Sequence, residues 1–430
     1  MLLISQYKPQ IIHQDMKKIS LFIWLSVFYT FTAWAQDPGM GMNFDDNAYD
    51  KVLKKAPLLT RNYQGLPAKA SLKEYCPIPQ SQGQFGTCVG WSSAYAGRTI
   101  VEAKTNGWKD KTQITNNAFS PLFVYSLIKF DDDLNCQNGT YINKALDIMR
   151  ETGVSKFDKV ADPCPTPDAL PEDAFTNAAQ FKIQDYAKLF GDAEDKVNKI
   201  RSMKKALSSG NPVIIGMKLP PSFFKARGVW SAMADENPAN KYGGHAMCVI
   251  GYDDEKEGGA FEIMNSWGSN WGNEGFIWVK YEDFVNYTKY AYEVIALPQN
   301  TNQAEDLSGQ VTYQLANGQE MKAKFAKSVN GVGYYQMQES YSSGTTFRLY
   351  ITNNEPAFVY AFGSDLKTGK NFTIFPNEPG ISPALNYAGN AVAIPDERYY
   401  VQMDNTLGKD YLCVLYSQET LSITKIEAAV

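Results

Sequence analysis

The sequence predicts an α+β domain followed by a separate all-β domain. Helical periodicity is confined to residues before 208, and short apolar runs typical of strands follow between residues 212 and 280. Beyond residue 309 the helical periodicity ends, and apolar residues alternate with polar ones. Hydrophobic residues make up 44% of the 430 residues and charged residues 20%, which excludes a largely disordered chain.

The α+β region, residues 66–298, opens with helices and closes with strands. Helices are predicted over residues 89–104, 141–151 and 198–207, because each run has apolar residues at helical spacing and stops at a glycine-containing turn. Strands are predicted at residues 212–217, 246–252, 261–265 and 275–280. This order predicts a helical half packed on a sheet half.

Residues 309–430 are predicted to form an all-β domain with a sandwich architecture, after a polar linker at 299–308. Asn317-Gly318 is a pair typical of a type I′ turn and predicts a hairpin. The predicted strands are 311–315 and 321–325 on either side of that turn, then 345–352, 357–362, 399–403 and 411–417.

The N-terminus, residues 1–35, is predicted to be a secretory signal peptide. Two lysines after Met16 precede a short apolar run and an Ala-x-Ala site that ends at Ala35, so Met16 is the predicted start and cleavage is predicted after Ala35. An uncleaved anchor is the weaker alternative, because a bilayer needs about 20 apolar residues. We expect an exported protein, periplasmic or extracellular, with no stable membrane span after cleavage. Residues 36–65 are then a short pro-segment or an ordered N-terminal strap.

Charge and histidine content exclude several classes of function. Lys plus Arg total 41 against 46 Asp plus Glu, and this balance argues against a nucleic-acid partner. With only two histidines, a multi-histidine metal centre is impossible. Aspartates 131–133 lack the spaced ligands of a calcium loop, so we expect a solvated loop, no metal site and no cofactor.

Three separated segments carry candidate chemistry. Cys88 follows a glycine-containing loop and opens a predicted helix, whose N-terminus favours a thiolate. Once the signal peptide is removed, His245 is the only histidine left, so an imidazole partner for Cys88 within the chain must be His245. Asn265 can accept a hydrogen bond from the ring nitrogen that faces away from the sulfur, which fixes one tautomer.

Two further side chains complete the candidate site. Trp267 is placed to cover the His245–Asn265 hydrogen bond and to exclude water from it. Gln82, six residues before Cys88, can point its amide N–H₂ at a developing oxyanion, and the backbone N–H of Cys88 supplies a second donor.

At these residues the sequence resembles the papain-like (C1-type) cysteine peptidases. Gln82 matches the family's oxyanion-hole glutamine, Cys88 its nucleophile, His245 its general base and acid, and Asn265 its orienting asparagine. The Asn-Ser-Trp-Gly run that contains Trp267 matches a long motif of the family. The resemblance spans roughly residues 66–298 and implies a papain-like catalytic domain with a helical half and a β half.

The sequence departs from the family pattern at three places. Phe85 replaces a disulfide cysteine, and Val89 replaces the aromatic residue after the nucleophile, but neither change removes a catalytic group. Residues 36–65 are too few for the long inhibitory propeptide of lysosomal-type members, which argues against autoinhibition by that route.

Residues 136–139 resemble the family's Cys-Asn-Gly-Gly segment with one extra residue. The resemblance implies that the backbone of Gly139 pairs with substrate by strand addition, although a plain turn is an equal alternative. Cys136 and Cys164 are the favoured disulfide pair, because export permits such bridges, and Cys76 competes for either partner.

The resemblance implies an exported cysteine peptidase that hydrolyses peptide bonds of a peptide or protein substrate through a thioester acyl-enzyme. Two alternatives stay open, namely a catalytically silent binding protein with the same fold and an acyl transferase or amidase with the same Cys–His pair. Residues 345–417 resemble an uncharacterised β-sandwich module appended to bacterial peptidases and kinases. That module has either a structural role or a polymer or protein ligand.

Overall fold

The computed structural model describes residues 38–56, 66–191, 193–296, 306–328, 330–331, 333–386, 391–396 and 399–429. The predicted signal peptide and most of the predicted linker lie outside these residues. Within the described part of the chain, no helix has both the length and the apolar character needed to cross a membrane.

One long helix, which begins at Cys88, organises the helical half. It is α-helical over Cys88–Gly90, π-helical over Trp91–Arg98 and α-helical again over Thr99–Thr105. The α-helices are α1 (Asp46–Lys51), α2 (Cys88–Gly90), α3 (Thr99–Thr105), α4 (Lys111–Asn116), α5 (Pro121–Ile128), α6 (Ile142–Glu151), α7 (Glu172–Ala178), α8 (Lys196–Ser208) and α9 (Tyr281–Tyr287). Short 3₁₀ turns lie at Lys73–Tyr75, Phe157–Lys159, Pro167–Ala169, Pro221–Lys225 and Lys256–Gly258.

The sheet half is a single eight-stranded sheet. Its strands are β1 (Lys69–Ser71), β2 (Asp185–Lys188), β3 (Val213–Lys218), β4 (Val229–Trp230), β5 (Gly244–Asp253), β6 (Ala260–Met264), β7 (Phe276–Lys280) and β8 (Thr288–Ile295). They are ordered β2-β8-β3-β5-β6-β7-β4, with β1 paired to β5, and all pairs except β4–β7 are antiparallel.

Strand direction explains where the candidate residues meet. Strands β5 and β6 are antiparallel, and Cys248 pairs with Met264. The start of β5, which carries His245, therefore lies at the same end of the sheet as Asn265, which follows β6 directly. The long helix packs on this sheet, where the absence of a side chain at Gly97 makes room for Ile214.

The three predicted helices and four predicted strands of this region lie within about two residues of observed elements. The sequence analysis assigned no element to β8, because seven of its eight residues are buried and no period-two alternation is visible. It also missed several short helices, among them α5, which begins at a serine N-cap followed by Pro121.

The C-terminal region consists of short strands closed by one terminal helix. Its strands are β9 (Val311–Leu315), β10 (Ala323–Lys327), β11 (Gly333–Met337), β12 (Thr346–Thr352), β13 (Ala357–Asp365), β14 (Lys370–Phe375), β15 (Ala384–Leu385), β16 (Ala391–Ile394), β17 (Val401–Gln402) and β18 (Asp410–Ser417), and the helix is α10 (Ile423–Ala429). Strands β9, β12, β16 and β17 form one four-stranded sheet, β13, β14, β15 and β18 another, and the two sheets share a core.

The predicted hairpin at Asn317-Gly318 is only partly formed. The turn closes, and the N–H of Met321 donates to the carbonyl of Tyr313 at 2.9 Å. Strand β9 then pairs with β12, while β10 turns away to pair with β11, so the prediction that 311–315 and 321–325 form one ladder is wrong. The physical reason is burial, since β9 contributes Val311 and Tyr313 to the sandwich core whereas β10 is largely exposed.

Residues 38–56, which we call the strap, run over the α+β region and end at the C-terminal region. Helix α1 forms the middle of the strap, and its buried Tyr49 stacks on Tyr290 of β8 with ring centroids 4.4 Å apart. The two regions also contact each other directly, because Ala187 and Ile295 share an apolar cluster with side chains of β13.

Candidate active site

Cys88 occupies the first position of the long helix, at the end of β5 that carries His245. The sulfur accepts a hydrogen bond from the backbone N–H of Ala246 at 3.4 Å. Because Ala246 directly follows His245, folding brings the candidate nucleophile next to the segment that carries the candidate base. The two residues lie far apart in the sequence of the α+β region.

A hydrogen-bond network fixes the orientation of the imidazole. The Oδ1 atom of Asn265 accepts the backbone N–H of Ser266 at 2.8 Å, which identifies that atom as the oxygen. The Nε2 atom of His245 lies 2.8 Å from the same oxygen and must therefore be the protonated nitrogen. The lone pair of a neutral ring is then on Nδ1, which is buried and has no hydrogen-bond partner among the described residues.

Gln82 is held beside this network by pairing of its own segment with the Asn-Ser-Trp run. The N–H of Gln82 donates to the carbonyl of Ser266 at 2.8 Å, and Ser266 Oγ donates to Gln82 Oε1 at 2.5 Å. The amide nitrogen of Gln82 donates to the carbonyl of Phe85, three residues before Cys88, at 2.7 Å.

Trp267 covers the imidazole, as the sequence analysis expected of it. Its ring stacks on His245 with a centroid distance of 4.7 Å and an interplanar angle of 29°. Its indole N–H donates to the carbonyl of Gly39, a strap residue, at 3.1 Å. The ring therefore contacts the imidazole and the strap together.

The strap fills the cleft in front of these residues. The N–H of Gly39 donates to the carbonyl of Gly83, and that of Met42 donates to the carbonyl of Gly244. The backbone N–H of Gly41 contacts the sulfur of Cys88. With the strap in place, Cys88 and His245 both have 0% of their surface exposed.

Two glycines allow the strap to lie this close to the candidate nucleophile. A Cβ atom on Gly39 would lie 2.2 Å from the carbonyl oxygen of Phe85, and one on Gly41 would lie 2.0 Å from that of Gly86. Real Cβ atoms do not come this near to backbone oxygen, so the contact excludes every other residue type at these two positions.

The strap pairs with Thr140, the residue after Gly139. The N–H of Thr140 donates to the carbonyl of Gly41 at 2.8 Å, and its carbonyl accepts the N–H of Asn43 at 2.8 Å. Gly139 adopts φ +69° in the adjoining turn, and its pairing with substrate stays a prediction.

The family model of papain family cysteine proteases matches residues 72–297, just over half of the chain. The chain belongs to the papain family. It is a cysteine-type peptidase by family, a hydrolase. A second family model, a domain of unknown function (DUF4384), matches residues 340–420.

The chain is also similar to curated proteins and to solved structures. An uncharacterized peptidase C1-like protein of Acanthamoeba polyphaga mimivirus is 26% identical over 248 residues, 54% of this chain and 76% of that protein. Mouse cathepsin K is 28% identical over 212 residues, 47% of this chain and 56% of that protein. The crystal structure of xylellain, a cysteine protease from Xylella fastidiosa, has a TM-score of 0.47 and 22% identity, and the match covers 61% of this chain and 97% of that one.

Burial beneath the strap shifts the pKa values of both Cys88 and His245. Burial raises the pKa of the Cys88 thiol to about 12, although the N–H groups of Ala246 and Gly41 act in the opposite direction. Burial lowers the pKa of His245 to about 4, against a smaller opposing effect of its hydrogen bond to Asn265. The sequence analysis expected the helix N-terminus to favour a thiolate, but in this closed state desolvation outweighs it.

The loop that pairs with the strap is fixed by covalent and polar contacts. Cys136 and Cys164 form a disulfide, so the predicted pairing is confirmed, and Cys76 is a buried free thiol. The buried carboxylate of Asp133 accepts the N–H of Gln137 at 2.9 Å and of Asn138 at 3.3 Å. Among the described residues, no group of three or more His, Cys, Asp or Glu side chains is placed to hold a metal ion.

Neither the strap residues nor Thr140 and Ser266 were predicted from the sequence. Thr140 contacts the strap through its backbone, and Ser266 contacts Gln82 through its hydroxyl. No residue pattern reveals contacts of these two kinds. The Gly-Met-Gly-Met run at residues 39–42 was a usable signal, because alternating small and long apolar residues suit an extended segment pressed flat against a surface.

Proposed function

We propose that this chain is an exported cysteine peptidase that hydrolyses peptide bonds through a thioester on Cys88, and that the strap blocks the site until it is displaced. The observation that carries this proposal is a pair of hydrogen bonds around His245. One joins Nε2 of His245 to Asn265, and the other runs from the N–H of Ala246, the next residue, to the sulfur of Cys88. Export is supported by the N-terminal sequence pattern and by the disulfide, which persists in oxidising compartments.

In the proposed reaction, Nδ1 of His245 accepts the thiol proton and the sulfur attacks the scissile carbonyl carbon. The electron pair of the carbonyl moves to oxygen, which the amide of Gln82 and the N–H of Cys88 stabilise. The tetrahedral intermediate collapses, the C–N bond breaks, and Nδ1–H protonates the leaving amine. Water then attacks the thioester with His245 as base, which releases the acid and restores the thiol. Asn265 holds the ring throughout.

In the closed state the strap occupies the cleft, and the backbone N–H of Gly41 contacts the sulfur of Cys88. A substrate would replace the strap as an extended segment between Gly244 and Thr140. The recess now filled by Met42, against Gly216, would then take a long apolar side chain of the substrate.

Digestion of a peptide library tests the proposed function. We expect cleavage by the chain in a Gly41→Val background, where a side chain at residue 41 displaces the strap, with long apolar residues enriched at one position near the cut. Adding Cys88→Ala should abolish cleavage, whereas adding Asn265→Ala should lower it by roughly 5- to 150-fold, the effect of leaving one buried donor unpaired.

The same experiment separates the alternatives. Cleavage that survives Cys88→Ala would contradict the proposal. Selective labelling of Cys88 by an epoxide inactivator without peptide cleavage would indicate acyl transfer or amidase activity. Failure of both, in protein whose strap is shown to be displaced, would indicate a silent binding protein.

A further inference from the structure

The far end of the strap is closed onto the C-terminal region by its main chain. The N–H of Lys54 donates to the carbonyl of Gly380 at 2.6 Å, and the carbonyl of Lys54 accepts the N–H of Ser382 at 2.8 Å. Both hydrogen-bonding groups of residue 54 are therefore used by one loop of the C-terminal region.

The neighbouring strap residues pair with the α+β region. The N–H of Lys55 donates to the carbonyl of Lys188 at 2.8 Å, and the N–H of Lys188 donates to the carbonyl of Leu53 at 2.9 Å. Lys188 is the last residue of β2, the edge strand of the sheet. Residues 53–55 thus bridge the two regions, and the main chain of each region bonds different residues of this segment.

Side chains bury this connection. Lys55 is only 7% exposed, and its ammonium lies 3.5 Å from Glu293 of β8 and contacts Asn386 of the C-terminal region. The amide nitrogen of Asn386 donates to the same carboxylate at 2.8 Å. Ala56, 2% exposed, is part of the sandwich core. Asn386 thus hydrogen-bonds both members of this buried ion pair, and its removal takes one hydrogen-bond partner from each of them.

The strap is held along its length between the cleft and this connection. Asp46 at the start of α1 is paired with Lys289 at 2.7 Å and accepts the Tyr290 hydroxyl at 2.6 Å, while Tyr49 donates to the carbonyl of Phe190 at 2.6 Å. Residues 39–43 and 54–56 are therefore joined by a packed helix rather than by a slack chain.

We propose that the C-terminal region is the latch of the strap: its contacts with residues 54–56 keep residues 39–43 in the cleft. A regulatory role for this latch rests on the proposed function. The contacts that form the latch do not depend on whether the chain is an active peptidase. It gives the C-terminal region a role that needs no ligand of its own. Any event that lifts that region from residues 54–56 would uncover Cys88.

Two variants of the full chain test the latch. Asn386→Ala removes the amide that completes the buried ion pair, and Ala56→Glu places a carboxylate in the sandwich core. Asn371→Ala, exposed on β14, is the matched control. In a Cys88→Ala background, hydrogen exchange at the amides of Met42 and Asn43 reports displacement of the strap. Exchange at Val359 and Val249 reports folding of the C-terminal and α+β regions.

We expect both variants to increase exchange at Met42 and Asn43 by tenfold or more, while Val249 and the control stay at the wild-type rate. The proposal is overturned if the strap amides keep their protection in Asn386→Ala, or if they keep it in Ala56→Glu even though Val359 becomes exposed to exchange. If Ala56→Glu also unfolds the α+β region, the milder Asn386→Ala variant alone decides.

Failure of the latch and failure of the proposed function give different results. One outcome is faster exchange at the strap in both variants, with no peptidase activity when the same variants retain Cys88. This outcome would support the latch and contradict the proposed function. Peptidase activity in the opened Gly41→Val chain, with strap exchange unchanged in both latch variants, would leave the function and remove the latch.

Discussion

At the scale of single residues, the proposed mechanism gives Ser266 a positioning role. Its hydroxyl donates to Oε1 of Gln82, which fixes the orientation of the Gln82 amide. We expect Ser266→Ala to lower kcat about tenfold or more, equivalent to roughly 1.4 kcal/mol of transition-state stabilisation, and to leave KM unchanged. Ser266→Thr retains the hydroxyl and should restore most of the rate.

Steady-state kinetics on the opened chain measures this effect. Ser269→Ala, exposed three residues further on, is the matched control and should behave as wild type. A rise in KM with unchanged kcat would mean that Ser266 acts on substrate binding instead.

The protonation states of the closed site predict its reactivity towards alkylating reagents. Between pH 4 and pH 12 both groups are neutral, since His245 loses its proton above a pKa of about 4 and Cys88 keeps its proton below a pKa of about 12. At neutral pH the closed site therefore holds a thiol and a neutral imidazole. Displacing the strap admits water, which lowers the Cys88 pKa and raises that of His245.

Iodoacetamide alkylation of Cys88 between pH 5 and about pH 11, followed by peptide mapping, tests this prediction. We expect the opened Gly41→Val chain to react at neutral pH and the full wild-type chain to react only as the pH rises well above 9. A Cys413→Ser background removes the more exposed free thiol, whereas Cys76 and Cys248 are buried and also have raised pKa values. Identical pH profiles for the two chains would contradict the assigned cause.

The sequence predicts the candidate catalytic residues because their chemistry is tied to residue type. A thiol that opens a predicted helix after a glycine-containing loop points to Cys88. The one imidazole that remains after the predicted cleavage points to His245, and an Asn-Ser-Trp-Gly run points to Asn265. Thr140 contributes only its backbone, and Ser266 only a hydroxyl shared by every serine, so neither is identifiable without the fold. The protonation state was not predictable either, because it depends on burial by residues more than forty positions away.

At the scale of elements, the strap shows that a short segment is enough to cover the candidate site. The shortness of residues 36–65 argues only against a long inhibitory propeptide. An extended segment advances about 3.3 Å per residue, so the five residues 39–43 are enough to cross the site. Two glycines provide the close contact, and α1 provides the anchor, without the mass of a separate inhibitory domain.

Replacing Gly41 by Val tests the close contact of the strap. Its Cβ would lie 2.0 Å from the Gly86 carbonyl oxygen, so residues 39–43 must leave the loop. We expect epoxide labelling of Cys88 to accelerate by at least tenfold, with little change in the unfolding temperature. Asn47→Ala, exposed on α1 of the same strap, should label like the wild type. Slow labelling of the Gly41→Val chain would mean that the strap does not limit access.

At the scale of the whole molecule, the boundary between two predicted domains is also a shared core. The sequence predicts the sandwich from strand alternation, because alternation depends on one buried face. It does not predict that outward faces of β2 and β8 pack on β13, or that Ala56 belongs to the sandwich core. Contacts between regions have no periodic pattern in sequence. The polar linker therefore suggested two independent domains, whereas an apolar cluster joins the two regions in the structure.

This shared core predicts that the two regions unfold together. Phe358 on β13 is buried against Ala187 and Ile295, so Phe358→Ala should remove about 3–5 kcal/mol from the free energy of unfolding. In calorimetry we expect one transition for wild type and one, several degrees lower, for the variant. Phe372→Ala on β14, whose side chain is 49% exposed, should not move the transition. Two wild-type transitions, of which Phe358→Ala lowers only one, would mean that the regions are independent and that the strap spans a loose junction.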